Sequence, residues 1–139
     1  MRKTMIIIAI VIAAATAIYA LTDSETTEAP SLTSATVARV IDGDTIVLSN
    51  GERVRLIGVD APEIGTAGAD EATAFVKARV LNRTVWLSSS GPDRDRFGRL
   101  RRYVWLQLPS NPQNPAEIAE KQLNALLVAY GHAQVMAVQ

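Results

Sequence analysis

The sequence predicts a mainly β protein with helices, an α+β fold built on a small five-stranded closed barrel. Three observations predict it. Five short runs of β-branched and aliphatic residues are separated by glycine, proline and asparagine turn signals. One helical pattern follows the third run, and a second follows the fifth. Asn50-Gly51 joins the second and third runs and is the strongest hairpin signal in the chain. Five strands with helices inserted at those two points match a barrel of the OB type, with two helices.

Taken in order, the chain opens with Arg2 and Lys3 and then an uncharged apolar run from Met5 to Leu21. A basic start followed by an apolar core predicts an N-terminal hydrophobic leader over residues 1–21. Its length lies between a signal-peptide core and a full membrane span, so it reads as a cleaved signal or as a membrane anchor. Ala15-Thr16-Ala17 offers a small-x-small cleavage site, and the acids Asp23, Glu25 and Glu28 follow the run. The remainder is therefore expected outside the cytoplasm, secreted or held at the membrane through residues 5–21. Residues 22–34 are rich in Thr, Ser, Glu and Pro, with little apolar surface to bury, and predict a flexible linker.

The domain expected over residues 35–139 starts where strand periodicity starts. Val37 and Val40 open the first run, and Asp42-Gly43-Asp44 interrupts it as a bulge or tight turn would. Strands are predicted near 44–49 and 52–59. Ala67 to Leu81 predicts a helix: Ala72, Phe75, Val76, Arg79 and Val80 are spaced for one face, and Asp70 and Glu71 sit in the first turn. Thr84–Ser88 and Leu100–Leu108 complete the strands. Pro109–Pro115 reads as a loop, and a single helix is predicted from about Ala116 to Tyr130, ended by Gly131.

Composition narrows the chemistry. The 139 residues contain no cysteine and one histidine, His132, so thiolate sites and a histidine-built zinc site are excluded. His132 itself is expected to face solvent after the helix-ending glycine. Formal charge is zero, and without the leader and linker it is close to zero still. Net charge gives no sign of an anionic partner, but local charge does: Arg94, Arg96, Arg99, Arg101 and Arg102 fall within nine residues.

Five charged residues on three segments stand out. Asp44 and Asp60 lie at strand ends, where a scaffold holds them rigid, and two carboxylates with a carbonyl and waters suit a hard cation, best Ca²⁺. A lone aspartate here would be a turn former, but Asp60 has Glu63 three residues on and Arg55 five back. Glu63 is the candidate general base, competing with a role as a first-turn glutamate after Pro62. Arg55 lies inside an apolar run and alternates with Arg53, so the pair is either a phosphate clamp or the polar side of a half-buried strand. Arg99 follows Phe97-Gly98, where glycine permits close approach of backbone to a ligand. Arg96 and Arg101 flank it as candidate substrate contacts.

These segments resemble the staphylococcal nuclease (thermonuclease) family. The likeness rests on Val40-Ile-Asp-Gly-Asp-Thr-Ile-Val47, Arg55-Leu-Ile-Gly-Val-Asp-Ala-Pro-Glu63 and Asp95-Arg-Phe-Gly-Arg99, in order and with compatible gaps. It implies a Ca²⁺-dependent OB-fold nuclease that cleaves single-stranded or frayed DNA and RNA with little sequence preference, acting as a monomer. Asp44, Asp60 and the Ala61 carbonyl would hold the metal, Glu63 would activate water, and Arg55 and Arg99 would grip the scissile phosphate. Three departures are visible, the first being the short loop after Glu63, which carries Gly65 and Gly68 where the family has a lysine-rich excursion. Ala137 and Gln139 fall where family members carry nucleotide-contacting tyrosines before a third helix, and Phe97 stands in place of the usual tyrosine. Weaker substrate binding is expected. The alternative is a non-catalytic OB module that binds nucleic acid or protein.

Overall fold

β1 (Thr33–Val40) pairs along its first half with β5 (Thr84–Ser88) and along its second half with β2 (Thr45–Leu48). β2 pairs with β3 (Arg53–Leu56), β3 with β6 (Leu100–Trp105), and β6 with β5, which closes a five-stranded barrel in the order β1-β2-β3-β6-β5. The β3–β6 pairing is parallel and the others antiparallel. This is the barrel the sequence predicts. The computed structural model describes residues 30–136. The leader, most of the linker, and the positions of Ala137 and Gln139 lie outside the described residues. Among the described residues no helix is long and apolar enough to cross a membrane.

The barrel forms because alternation puts one side of each strand inside. Val37, Val40, Ile46, Leu48, Val54, Leu56, Val85, Leu87 and Val104 are all buried in one cluster. Burying each such side chain stabilises by about 1.5–3 kcal/mol before conformational entropy is counted. α1 (Ala69–Val80) adds Phe75, Val76 and Val80 to this core. Asn50-Gly51 turns the β2–β3 hairpin as expected, with Gly51 at φ 86°. The Asp42–Asp44 segment is a tight turn, in which the Ile41 N–H donates to the Thr45 carbonyl at 3.0 Å.

Three boundaries depart from expectation. β1 begins at Thr33, inside the predicted linker, because Thr33 to Thr36 pair with Leu87 to Thr84; the ordering comes from backbone pairing, which leaves no apolar signature. The predicted strand 52–59 ends at Leu56. Ile57-Gly58 turns, with Gly58 at φ 75°, and β4 (Val59–Asp60) instead pairs with β7 (Gln134–Val135). The third departure is the predicted helix 116–130, which is two helices, α2 (Pro115–Lys121) and α3 (Leu123–Ala129). Gln122 between them is extended, at φ −91° and ψ 120°, and forms a β-bridge with Trp105. The Lys121 carbonyl accepts the Leu106 N–H at 2.8 Å. Continuing β6 by this bond outweighs one turn of helix, so among the described residues three helices flank the barrel rather than two.

α3 then carries Leu123 and Leu127 into the core and places Asn124 between strands. Asn124 accepts the Val104 N–H through Oδ1 at 3.0 Å and donates through Nδ2 to the Ile57 carbonyl at 2.9 Å. A single buried amide thus fixes β6 against the turn that follows β3.

Candidate active site

Register sets which side chains share the outer face. Thr45 pairs with Arg55, and Arg55 with Arg101, so these residues form one cross-strand row over β2, β3 and β6. Arg55 is half-buried there. Its Nη1 donates to the Leu56 and Val59 carbonyls at 2.8 and 2.7 Å, which holds the guanidinium over the turn between β3 and β4. Its Nη2 lies 3.5 Å from Asp44 Oδ2, 3.3 Å from Asp60 Oδ1 and 3.6 Å from the Met136 sulfur.

Asp44 is buried, and every part of its carboxylate has a partner. Oδ2 accepts the Ala61 N–H at 2.9 Å, and Oδ1 accepts the Thr45 hydroxyl at 3.0 Å. The turn that delivers it is locked by Asp42, whose Oδ1 accepts the Asp44 N–H at 3.0 Å. Burial raises the Asp42 carboxyl above its ordinary value; the accepted Asp44 N–H opposes that rise without cancelling it, and the Asp44 charge adds to it. Gly43 lies between the two acids because nothing larger fits. A β-carbon there would stand 2.7 Å from the Ala61 β-carbon and 2.8 Å from that of Ala72. Asp60, in contrast, has a mostly exposed side chain.

Arg99 reaches the same cleft from the loop between β5 and β6. Asp95 organises that loop: Oδ1 accepts the Phe97 and Arg99 N–H groups at 2.9 and 3.0 Å, and Oδ2 accepts Arg99 Nε at 2.6 Å. Burial alone would raise the Asp95 carboxyl. The Arg99 amide and guanidinium and the Phe97 amide together outweigh it and hold the group below its usual range. Arg55, Asp95, Arg99, Arg101, Tyr103 and Met136 line a cavity of about 600 Å³. Arg101 stands at its wall, donating to the Ser90 and Pro92 carbonyls at 3.4 and 3.1 Å. The Phe97 ring is exposed, with the Arg96 guanidinium 4.7 Å and that of Arg99 5.3 Å from its centroid.

The five-arginine cluster therefore divides. Arg94 is bidentate to Glu52 at 2.9 and 3.0 Å, and Arg102 pairs with Asp93 at 2.7 Å; both staple the loop to the barrel. Arg99 and Arg101 face the cleft.

Glu63 stands apart from this cleft. It is exposed and lines a second cavity of about 380 Å³ with Asp60, Ala61, Gly131, His132 and Gln134. Asp60 belongs to both neighbourhoods: it pairs with Arg55 and opens onto the Glu63 cavity. His132 is half-buried against Phe75, with ring centroids 4.6 Å apart, and not the free solvent residue expected. Met136, Asp95 as an anchor and Asn124 were not singled out from the sequence. Only Asp95 carried a signal, as an aspartate two residues before a Phe-Gly turn, the Asx pattern.

The oxygen donors present suit a hard cation in an open shell. Among the described residues no three carboxylate or histidine side chains converge, so Asp44 and Asp60 would be completed by carbonyls and water. Arg55 already marks a point where both carboxylates meet positive charge.

A closed OB barrel whose outer face gathers two aspartates around one arginine, with a second arginine in the same cleft, defines the class. Within it, the chain belongs to the family of staphylococcal nuclease homologues, whose model matches residues 53–139. It is similar to the thermonucleases of Staphylococcus intermedius and Staphylococcus hyicus, 42% and 39% identical over 79 residues, covering 50% of this chain and 47% of each relative. A micrococcal nuclease of Shigella flexneri is 35% identical over 102 residues, 70% of this chain and 55% of that protein. The chain spans about half the length of the curated relatives it matches.

Proposed function

We propose that this protein is an exported, monomeric, Ca²⁺-dependent nuclease that hydrolyses phosphodiester bonds in single-stranded or frayed DNA and RNA with little sequence preference. The observation that carries the reading is the convergence of Asp44 and Asp60 on Arg55 at the edge of a cleft that also holds Arg99. The thermonuclease relatives support the reaction class, and the leader pattern of residues 1–21 supports export.

In this reading Asp44, Asp60 and the Ala61 carbonyl would hold the cation, which when bound would neutralise phosphate charge and favour ionisation of nearby water. Arg55 and Arg99 bind the non-bridging oxygens of the scissile phosphate and stabilise the charge that grows on them during attack. Glu63 takes a proton from the attacking water. The water oxygen then forms the bond to phosphorus, the phosphorus–oxygen bond to the departing sugar breaks, and the sugar oxygen takes a proton from solvent. Arg101, Arg96 and Phe97 contact the flanking nucleotide.

The test is hydrolysis of denatured DNA with and without a calcium chelator, for the wild type and for Glu63→Gln. Activity lost in chelator, and reduced about 10²–10⁴-fold by Glu63→Gln, is expected. Activity indifferent to chelator would remove calcium from the reading. One observation favours a second reading, a binding module without catalysis: Glu63 opens on a different cavity from Arg55 and Arg99. Oligonucleotide binding with no calcium-dependent cleavage would establish that alternative.

A further inference from the structure

The outer face of the barrel carries positive charge beyond the cleft. Val47 on β2 pairs with Arg39 of β1 on one side and with Arg53 of β3 on the other. Paired residues point to the same face of a sheet, so Arg39, Val47 and Arg53 form a second cross-strand row beside the Thr45-Arg55-Arg101 row. Arg53 lies two residues from Arg55 along β3, about 7 Å away, and neighbouring strands are about 5 Å apart. The arginines thus step across the face at intervals comparable to those between phosphates in an extended single strand.

Arg39 and Arg53 are exposed, and among the described residues neither makes an ion pair. The acid next to Arg53, Glu52, is already taken by Arg94 through two bonds. Arg55, Arg94, Arg99 and Arg102 all have carboxylate partners. Arg39 and Arg53 do not, and Val47 between them is half-buried, an apolar step for a sugar or base.

We propose that Arg53 and Arg39 form an auxiliary phosphate track, on which a single-stranded nucleic acid continues from the Arg55–Arg99 cleft across β3, β2 and β1. This rests on the nuclease reading for its orientation and adds a binding site outside the cleft. It also gives the chain a source of affinity other than base stacking.

The experiment measures binding of a dinucleotide and of an oligothymidylate of roughly twelve residues, in chelator, over a range of salt concentrations. Each phosphate contact on a single strand contributes about 0.7 to the slope of log affinity against log salt. Arg39→Ala/Arg53→Ala is expected to lower the slope for the long oligomer by about 1.4, and Arg39→Lys/Arg53→Lys to keep it. The ratio of long to short affinity should fall several-fold in the alanine pair. An unchanged slope in the alanine pair overturns the track, as does equal loss in the lysine pair. Cleavage by the wild type is scored separately with calcium. Wild-type cleavage with an unchanged slope removes the track alone, whereas no cleavage with a lowered slope removes the nuclease reading and keeps the track.

Discussion

Asp95 holds Arg99 at 2.6 Å through Nε and, with its other oxygen, holds the Arg99 backbone N–H at 3.0 Å. One carboxylate therefore fixes both the backbone and the guanidinium of an arginine that lines the cleft. Asparagine at this position keeps the amide acceptor but loses the charge that aligns the guanidinium. On the proposed nuclease reading, Asp95→Asn is expected to lower kcat by about 10–100-fold with a smaller change in KM, because Arg99 would then be a misplaced transition-state contact. Steady-state kinetics on denatured DNA checks this. Equal effects on KM and kcat would mean that the loop only binds.

The turn carrying Asp44 depends on the absence of a side chain at Gly43. An added methyl meets two β-carbons below 3 Å, from the segment after β4 and from α1, so one of them must move. Gly43→Ala is expected to destabilise by about 1–3 kcal/mol, the usual range for overpacking. Because Ala61 also donates to Asp44, the shift falls on the carboxylate. Thermal denaturation should report the loss, and on the proposed calcium reading the affinity for the cation should fall with it. A variant as stable as the wild type would show that the turn has room to adjust.

How much of this was legible in the sequence depends on the range of the interaction that fixes each part. The Asn50-Gly51 hairpin, the Asp42–Asp44 turn and the face of α1 are local, and the sequence shows them. The grouping of Asp44, Asp60 and Arg55 was legible only because three motifs occur in series; no spacing rule joins residues 44 and 60. The break at Gln122 was not legible, since Ala116–Tyr130 contains no glycine or proline and the cause is a strand edge at Trp105. Asn124 gave no signal either, for an asparagine inside a helical pattern ordinarily faces solvent. Glu63 shares the second cavity with Asp60 but not the cleft of Arg55 and Arg99, a separation that sequence distance does not reveal.

Acid sensitivity should trace in part to the loop before α2. Glu117 accepts Lys121 Nζ at 2.6 Å and the Ser110 and Asn111 N–H groups at 2.9 and 2.6 Å. Lys121 and these two amides lower its carboxyl from 4.5 to about 2. A depressed folded-state value means that the stabilisation is present above pH 4.5 and fades as pH falls toward 2. Glu117→Gln should therefore lose stability near neutrality and show a shallower decline below pH 4.5. Denaturation midpoints across that range check it; parallel acid limbs in the two proteins would assign the acid sensitivity elsewhere.

The proposed calcium binding has a readout that does not need turnover. Asp44 is buried with its partners in place, whereas Asp60 is exposed and, among the described residues, paired with Arg55 alone. A cation seated between them binds the folded protein alone, so it should raise stability by about 2.7 kcal/mol at a hundredfold excess over Kd. Asp44→Asn removes charge from the oxygen that also accepts the Ala61 N–H, and asparagine in place of a carboxylate presents one acceptor oxygen instead of two. In that variant the calcium-dependent rise in Tm is expected to vanish. In Asp60→Asn it should weaken and persist, because the exposed ligand is replaceable by water. A rise of equal size in all three proteins would place the cation somewhere other than between these aspartates.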